Sequence, residues 1–425
     1  MSNIAILFPG QGAQYPGMGK SIYMENRIVR EVFEEASDIL HRDMVKLCFE
    51  SSLETLTRTE NAQISVFVVS FACYKILEEA GVVPNYLLGN SLGELTALTS
   101  AGAVTFEEGL KIVLSRGRLM QVACDLSDSG MIAINGVDAK TVEDLCLEFK
   151  GKGKYVDVTN YNSPLQVVIA GTNNVLDEVI VVLEQRKYSF KRLVVNGAFH
   201  SSLMQSTVEQ FRSILQKCTF HEIKIPVISN VTAKEYSKEN IIKNLSEHLV
   251  SPVRWSESIN LMKTKGIDVF VEAGTKSILG KFAKDTYGKE LKYVFFDPSK
   301  SMEMISRLCD VCFVPKDQQL DFAKYINNVR KIENTSLKLC DIKSFINDCL
   351  KFSIAMPNVK SRSIESQYKA LRKYAMYYDE DPEKITSKDL VSMYKGVFNI
   401  LCLKGIDCVE TDNIMNKLCQ NIESK

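Results

Sequence analysis

Short apolar runs alternate with longer segments of helical periodicity over roughly the first 300 residues of the chain. Residues 4–8 and 86–88 predict buried strands, and apolar residues spaced three and four apart predict helices over residues 27–47 and 61–80. Thr105 and Glu108 have the spacing of a capping box, which predicts a helix that runs to about residue 124. Strands that alternate with helices in this way are typical of an α/β protein with a parallel sheet.

The pattern changes at about residue 127, where shorter elements begin. Their predicted order is strand 131–135, helix 139–149, strands 155–159 and 166–170, helix 174–185 and strand 191–195. This β-α-β-β-α-β order is typical of a ferredoxin-like subdomain. The first pattern then returns, with a predicted helix over 201–217 and predicted strands at 226–229 and 269–271.

The chain therefore divides into three predicted regions. Residues 1–126 and 197–298 form an α/β core, and residues 127–196 form the inserted ferredoxin-like subdomain. Residues 299–425 are poor in glycine and mostly helical in period, and they predict a C-terminal helical extension. A chain of 425 residues is longer than one core normally allows, which agrees with this division.

Composition excludes several classes of function. Apolar residues make up 45% and charged residues 24%, and the 52 basic residues balance the 52 acidic ones, so no global charge attracts nucleic acid or an anionic membrane. No basic leader or long apolar stretch is present, and the twelve cysteines are scattered singly. We therefore expect a cytoplasmic protein with reduced thiols, without a metal site or a bound cofactor.

A Gly-x-Ser-x-Gly pentapeptide joins the second predicted strand to a helix. Ser91 is its central residue, and Gly89 and Gly93 flank it. This arrangement is the sequence form of a nucleophile elbow, and it makes the predicted core α/β-hydrolase-like. The pentapeptide also occurs by chance in loops, so a functional Ser91 needs partners elsewhere in the chain.

A serine hydroxyl requires a general base, and the chain has four histidines. His200 lies at a predicted strand-to-helix junction, where α/β sheets place site residues. His41 and His221 stand among charged neighbours and are expected to be solvated. His200 is therefore the candidate base.

Two further features suit an acyl-transfer site. The loop over residues 9–14 is rich in glycine but fits neither a dinucleotide fingerprint nor a P-loop, so it is better suited to presenting backbone N–H groups. Arg116 lies on the helix after the elbow, where its planar fork matches a carboxylate. A solvated helix arginine is the alternative interpretation.

Seven motifs stand in order over residues 4 to about 298. They are Phe8-Pro9-Gly10-Gln11-Gly12, Gly89-x-Ser91-Leu92-Gly93-Glu94, Arg116-Gly117 with Met120-Gln121, Asn160-x-Asn162-Ser163-Pro164 with residues 166–171, Ala198-Phe199-His200-Ser201, Pro252-Val253-Arg254-Trp255, and Glu272-x-Gly274. Together they carry a resemblance to malonyl-CoA:acyl carrier protein transacylases. Their common order is far more specific than any single motif.

The resemblance implies a role for each matching residue. Ser91 would carry an acyl group with His200 as general base, and the backbone N–H groups of Gln11 and Leu92 would form the oxyanion hole. Arg116 would bind the free carboxylate of a malonyl group. The resemblance further implies a substrate pocket with contributions from Asn90, Met120, Asn160, Asn162 and Phe199.

Two residues depart from the family pattern. The family usually has histidine where this chain has Asn90, so Asn90 is expected to alter local hydrogen bonding or acyl choice. Bacterial members often have glutamine at the position of His248, whose main-chain carbonyl would orient the catalytic histidine. The His248 imidazole either adds a titratable group near the site or lies on the surface. We expect the surface position.

The resemblance implies malonyl transfer from acyl-CoA to a phosphopantetheinylated carrier protein. The bulk of Phe199 favours malonyl over methylmalonyl, whereas Asn90 leaves open an α-substituted unit such as aminomalonyl, either on CoA or already bound to a carrier. A thioester hydrolase of a polyketide pathway and a catalytically silent scaffold are further alternatives. The C-terminal extension resembles those of discrete, trans-acting acyltransferases of polyketide or hybrid assembly lines, and we expect a monomer.

Overall fold

A computed structural model describes residues 3–79, 82–195, 197–288 and 291–296. The predicted helical extension over residues 299–425 lies outside these ranges. Within them, no helix combines the length and apolar character needed to cross a membrane.

The described residues form alternating strands and helices. The strands are β1 (Ile4–Phe8), β2 (Tyr86–Gly89), β3 (Ser129–Asn135), β4 (Val156–Ser163), β5 (Gln166–Thr172), β6 (Ser189–Arg192), β7 (Val227–Ile228), β8 (Val269–Ala273) and β9 (Lys292–Phe296). The helices are α1 (Lys20–Glu25), α2 (Arg27–Leu40), α3 (Met44–Glu50), α4 (Leu53–Thr57), α5 (Thr59–Glu79), α6 (Leu92–Ser100), α7 (Phe106–Asp125), α8 (Ala139–Lys150), α9 (Asn173–Gln185), α10 (Gln205–Leu215), α11 (Ile241–Glu247), α12 (Trp255–Thr264) and α13 (Leu279–Tyr287).

A five-stranded parallel sheet forms the first layer, in the order β7-β2-β1-β8-β9. Every residue of the central strand β1 is buried, which explains why its sequence is a continuous apolar run. Because β1 and β2 are parallel neighbours, the loops that follow them meet at the same edge of the sheet. The predicted α/β core with a parallel sheet is confirmed.

A four-stranded antiparallel sheet forms the second layer, in the order β4-β5-β3-β6. Helices α8 and α9 supply Leu145 and Leu176 to the apolar core that covers it. The strand order is that of a ferredoxin-like unit, as the element order predicts. All four strands lie between residues 127 and 196.

Two element predictions require correction. The helix predicted over residues 27–47 is broken, because His41 has φ 48° and the Asp43 side chain accepts a hydrogen bond from Lys46 N, which starts α3. The strand predicted over 191–195 is β6, which ends at Arg192. Residues 193–195 are apolar and therefore favoured a longer strand in the prediction. In the structure Val194 is 81% exposed.

Candidate active site

Ser91 lies at a strained turn between β2 and α6. Its backbone has φ 51° and ψ −110°, a conformation that few residues with a side chain adopt. A Cβ atom at Gly89 would lie 1.8 Å from the Gly93 carbonyl carbon, and one at Gly93 would lie 2.1 Å from the Phe8 carbonyl oxygen. The two glycines therefore allow α6 to pack directly onto the ends of β1 and β2 while the turn presents Ser91.

His200 contacts the Ser91 hydroxyl. The distance between Ser91 Oγ and His200 Nε2 is 2.7 Å, and His200 Nδ1 lies 2.7 Å from the main-chain oxygen of His248. The carbonyl can only accept, so Nδ1 carries a proton and Nε2 is left to accept one from Ser91.

The environment of His200 keeps it neutral. Burial is the largest cause that lowers the pKa of His200 well below its ordinary value, and electrostatic repulsion from His248 and Arg116 lowers it further. The hydrogen bond to the His248 carbonyl acts in the opposite direction. At neutral pH His200 is therefore a free base in contact with a hydroxyl, which is the state that proton abstraction requires.

Arg116 extends from α7 to the same hydroxyl. Its Nη2 lies 3.2 Å from Ser91 Oγ, its Nη1 donates to Gln63 Oε1 at 2.7 Å, and the residue is 2% exposed. Burial lowers the pKa of Arg116 to about 10, and the negative charge of Glu94 partly opposes this. The guanidinium thus remains charged at neutral pH, yet it forms no ion pair within the described part of the chain. The alternative of a solvated helix arginine is wrong.

Gln63 and Asn230 belong to the site, although the sequence did not indicate them. Gln63 is completely buried on α5 and joins Arg116 to Met120, whose Sδ accepts from Gln63 Nε2 at 3.4 Å. Asn230 Oδ1 accepts from Ser91 N at 2.8 Å, and its Nδ2 donates to Gly89 O at 2.7 Å. Gln63 therefore orients the arginine, and Asn230 holds the strained turn.

The glycine-rich loop after β1 packs against the elbow. A Cβ atom at Gly10 would lie 2.5 Å from the Asn90 carbonyl oxygen, so only glycine allows this approach. Among the described residues, neither Gln11 N–H nor Leu92 N–H has a hydrogen-bond acceptor. Both predicted oxyanion donors are free to bind an incoming oxygen.

The predicted pocket residues occupy different surroundings. Met120 and Phe199 are buried, and the Asn90 amide nitrogen is buried with no hydrogen-bond partner in the described ranges. The structure does not bring Asn160 or Asn162 into hydrogen-bond contact with the reactive groups. Their side chains instead contact Thr159 and Gln166, so a pocket role for these two asparagines stays a prediction.

The expectation of a surface position for His248 is wrong. The residue is 1% exposed, and its Nδ1 lies 2.7 Å from Glu94 Oε2. Its main-chain oxygen contacts His200, as the resemblance implied. The carboxylate that contacts the imidazole belongs to Glu94 on α6, far away in the sequence, so the local sequence did not reveal this contact.

A strained serine in contact with a neutral histidine, beside free backbone N–H donors, defines a Ser-His centre for acyl transfer on an α/β fold. The buried guanidinium of Arg116 at the same hydroxyl distinguishes this site from one for wholly apolar acyl chains. A buried unpaired charge is costly unless an anionic ligand binds it.

The chain belongs to the acyl transferase family, whose model, described as "Acyl transferase domain", matches residues 6–317. It is 40% identical over 281 residues to a malonyl CoA-acyl carrier protein transacylase of Bacillus subtilis, covering 66% of this chain and 70% of the relative. It is 38% identical over 279 residues to the polyketide biosynthesis malonyl CoA-acyl carrier protein transacylase BaeC of Bacillus velezensis, covering 65% and 94%.

A solved structure of a malonyl-transacylase in complex with its type II polyketide synthase acyl-carrier protein has a TM-score of 0.67 to this chain. The two sequences are 30% identical, and the match covers 69% of this chain and 96% of that one. These similarities confirm the family and fold that the seven motifs predict.

Proposed function

We propose that this chain is a malonyltransferase, which moves a malonyl group from CoA through an ester on Ser91 to the phosphopantetheine thiol of an acyl carrier protein. The observation that carries the proposal is the buried, unpaired guanidinium of Arg116, 3.2 Å from the hydroxyl that would carry the acyl group. Malonyl has a thioester for Ser91 and a free carboxylate for Arg116.

In the first half-reaction, Ser91 Oγ attacks the thioester carbonyl carbon while His200 Nε2 takes the hydroxyl proton. The carbonyl oxygen becomes an oxyanion, which the N–H groups of Gln11 and Leu92 stabilise. The carbon–sulfur bond then breaks, and His200 returns its proton to the CoA thiolate. The malonyl ester on Ser91 remains.

In the second half-reaction, His200 takes the proton of the carrier's phosphopantetheine thiol as its sulfur attacks the ester. The bond to Ser91 Oγ breaks, and His200 returns the proton to the serine. The named relatives and the solved transacylase–carrier complex support an acyl carrier protein as acceptor. The similarity to BaeC supports a carrier of a polyketide pathway, although a fatty-acid carrier fits the same chemistry.

All groups used in this scheme come from one chain, and none of the steps uses a bound cofactor. We therefore propose that the monomer is the active unit.

A second candidate substrate is a malonyl unit with a polar α-substituent, such as hydroxymalonyl or aminomalonyl, carried either on CoA or on a carrier protein. The buried amide nitrogen of Asn90 has no hydrogen-bond partner among the described residues and belongs to the residue beside the nucleophile. An unpaired buried donor is costly, and a polar substituent would satisfy it.

The test is transfer of malonyl from malonyl-CoA to a holo acyl carrier protein, with the apo carrier, which lacks the thiol, as control. We expect malonylation of the holo form alone and no transfer by Ser91→Ala. Consumption of malonyl-CoA with release of free malonate, at the same rate with and without carrier, would instead indicate a thioester hydrolase.

A further inference from the structure

A buried carboxylate lies beneath the reactive pair. Glu94 is on the first turn of α6 and is completely buried. Its Oε1 accepts hydrogen bonds from Asn230 N at 2.6 Å and from the Tyr236 hydroxyl at 2.9 Å. Its Oε2 lies 2.7 Å from His248 Nδ1, a close contact that lacks hydrogen-bond geometry. Both oxygens of Glu94 therefore contact groups that lead towards the active site.

One path runs from Glu94 to the nucleophile. Glu94 holds the backbone of Asn230, and the Asn230 side chain bonds both Ser91 N and Gly89 O. The Asn230 side-chain amide thus bonds the two successive peptide units before and after Asn90, and the carboxylate of Glu94 holds the Asn230 backbone N–H.

The other path runs from Glu94 to the base. Glu94 contacts the His248 side chain, and the His248 main-chain oxygen accepts from His200 Nδ1. The rings of His248 and His200 face each other, with centroids 4.7 Å apart and planes inclined by 31°. A shift of the His248 side chain would therefore move both the carbonyl that orients His200 and the ring that packs against it.

We propose that Glu94 and His248 form a buried positioning pair that holds Ser91 and His200 at hydrogen-bond distance for proton transfer. The inference rests on the proposed function and goes beyond it, because the resemblance assigns a role only to the main-chain carbonyl of His248. The imidazole and its contact with Glu94 are features of this chain.

The groups around His200 predict a further effect of the pair. Arg116 and His248 face His200, the Glu94 carboxylate faces His248 and Arg116, and the Tyr236 hydroxyl donates to Glu94. After burial, electrostatic repulsion from His248 is the largest cause that lowers the pKa of His200. Replacing the imidazole by a neutral group of similar reach should therefore raise the pKa of His200 while keeping the anchor.

Two variants separate the anchor from the charge. His248→Gln supplies an amide donor to Glu94 and the residue that relatives often have, whereas His248→Leu supplies no donor. His221→Gln, at an exposed histidine, is the matched control. Each variant is compared with wild type by the rate at which Ser91 reacts with a fluorophosphonate probe, by malonyl-enzyme formation, and by the pH dependence of both.

For His248→Leu we expect both rates to fall about tenfold to a hundredfold, with the KM for malonyl-CoA unchanged, because a displaced base affects chemistry rather than binding. For His248→Gln we expect plateau rates within about threefold of wild type. In both variants the acidic limb of the pH profile should move to higher pH, and His221→Gln should match wild type throughout.

Wild-type rates in His248→Leu would overturn the anchoring role, as would equal losses in the Leu and Gln variants. An acidic limb that stays at the wild-type pH in His248→Gln would overturn the electrostatic role. The fluorophosphonate needs no malonyl group, so a wild-type protein that reacts with it but never accepts malonyl would contradict the proposed function without contradicting the pair.

Discussion

Arg116 Nη2 and Ser91 Oγ lie 3.2 Å apart, so the guanidinium contacts the very atom that would become acylated. The arginine is buried and its only hydrogen bonds within the described residues are to neutral partners, Ser91 and Gln63. A substrate carboxylate would complete its hydrogen bonding and neutralise its charge. The same residue that selects the acyl group therefore lies at the point of attachment.

Removal of this cation should discriminate between acyl groups. We expect Arg116→Ala to lower kcat/KM for malonyl-CoA by about a hundredfold or more, because truncating one partner of a buried charged pair costs about 2 to 5 kcal/mol. Acetyl-CoA has no carboxylate, so its slow acylation should change little. Arg118→Ala, on an exposed side chain of the same helix, is the control for both donors. Equal losses for malonyl and acetyl would show that Arg116 does not select a carboxylate.

A carboxylate placed beside Arg116 should compete with the substrate. Gln63 Oε1 accepts from Arg116 Nη1 at 2.7 Å, so Gln63→Glu would put a negative charge at that position. We expect the KM for malonyl-CoA to rise about tenfold or more, since the guanidinium is then already paired. Gln63→Leu removes the acceptor without adding charge and should cost less. Steady-state kinetics of both variants measure this, and an unchanged KM in Gln63→Glu would refute the assigned orientation.

The lowered pKa of His200 predicts activity in mild acid. The base acts when neutral, and its pKa lies well below the ordinary value because of burial and electrostatic repulsion from His248 and Arg116. The kcat/KM for acylation should therefore stay on its plateau at about pH 6.5, where a solvated imidazole is half protonated, and should fall only at lower pH. A stopped-flow pH profile of acylation measures this. A midpoint at or above about pH 6.5 would contradict it.

The element bounds predicted from the sequence are most accurate where a whole segment is buried in the same way. Strand β1 begins and ends at the predicted residues because both of its faces are covered. The sequence predicts one helix over residues 27–47, because its apolar spacing continues through the turn at His41 and does not reveal the Asp43 cap. Local periodicity therefore identifies an element more reliably than it identifies a break.

The reactive groups could be predicted from motifs, whereas their supports could not. Ser91, His200 and Arg116 stand in recognisable local patterns. Gln63 lies on a helix that is buried on nearly all sides, where a single polar residue gives no periodic signal. The contact between His248 and Glu94 joins residues 154 positions apart, so only the fold reveals it.

The packing of the elbow predicts a large cost for a single methyl group. A Cβ at Gly93 would lie 2.1 Å from the Phe8 carbonyl oxygen, which is backbone and cannot rotate away. We expect Gly93→Ala to lower the free energy of unfolding by about 3 kcal/mol and to abolish acylation, since α6 must move. Gly151→Ala, whose Cβ would come no closer than 3.4 Å to its neighbours, is the control. Wild-type thermal stability of Gly93→Ala would contradict the packing described.

Restoring the family's histidine at position 90 tests the second candidate substrate. If Asn90 binds a polar α-substituent, wild type should accept hydroxymalonyl or aminomalonyl donors in competition with malonyl. Asn90→His should shift the ratio towards malonyl by about tenfold, which corresponds to one lost hydrogen bond of about 1.4 kcal/mol. Competition with the acyl-enzyme identified by mass measures the ratio. Identical ratios in the two proteins would exclude Asn90 as the selecting residue.

The most direct test of the central claim is the intact mass of the protein after brief mixing with malonyl-CoA. We predict an increase of one malonyl group on wild type, its loss when a holo acyl carrier protein is added, and no adduct on Ser91→Ala. No adduct on wild type, or the same adduct on Ser91→Ala, would contradict the account.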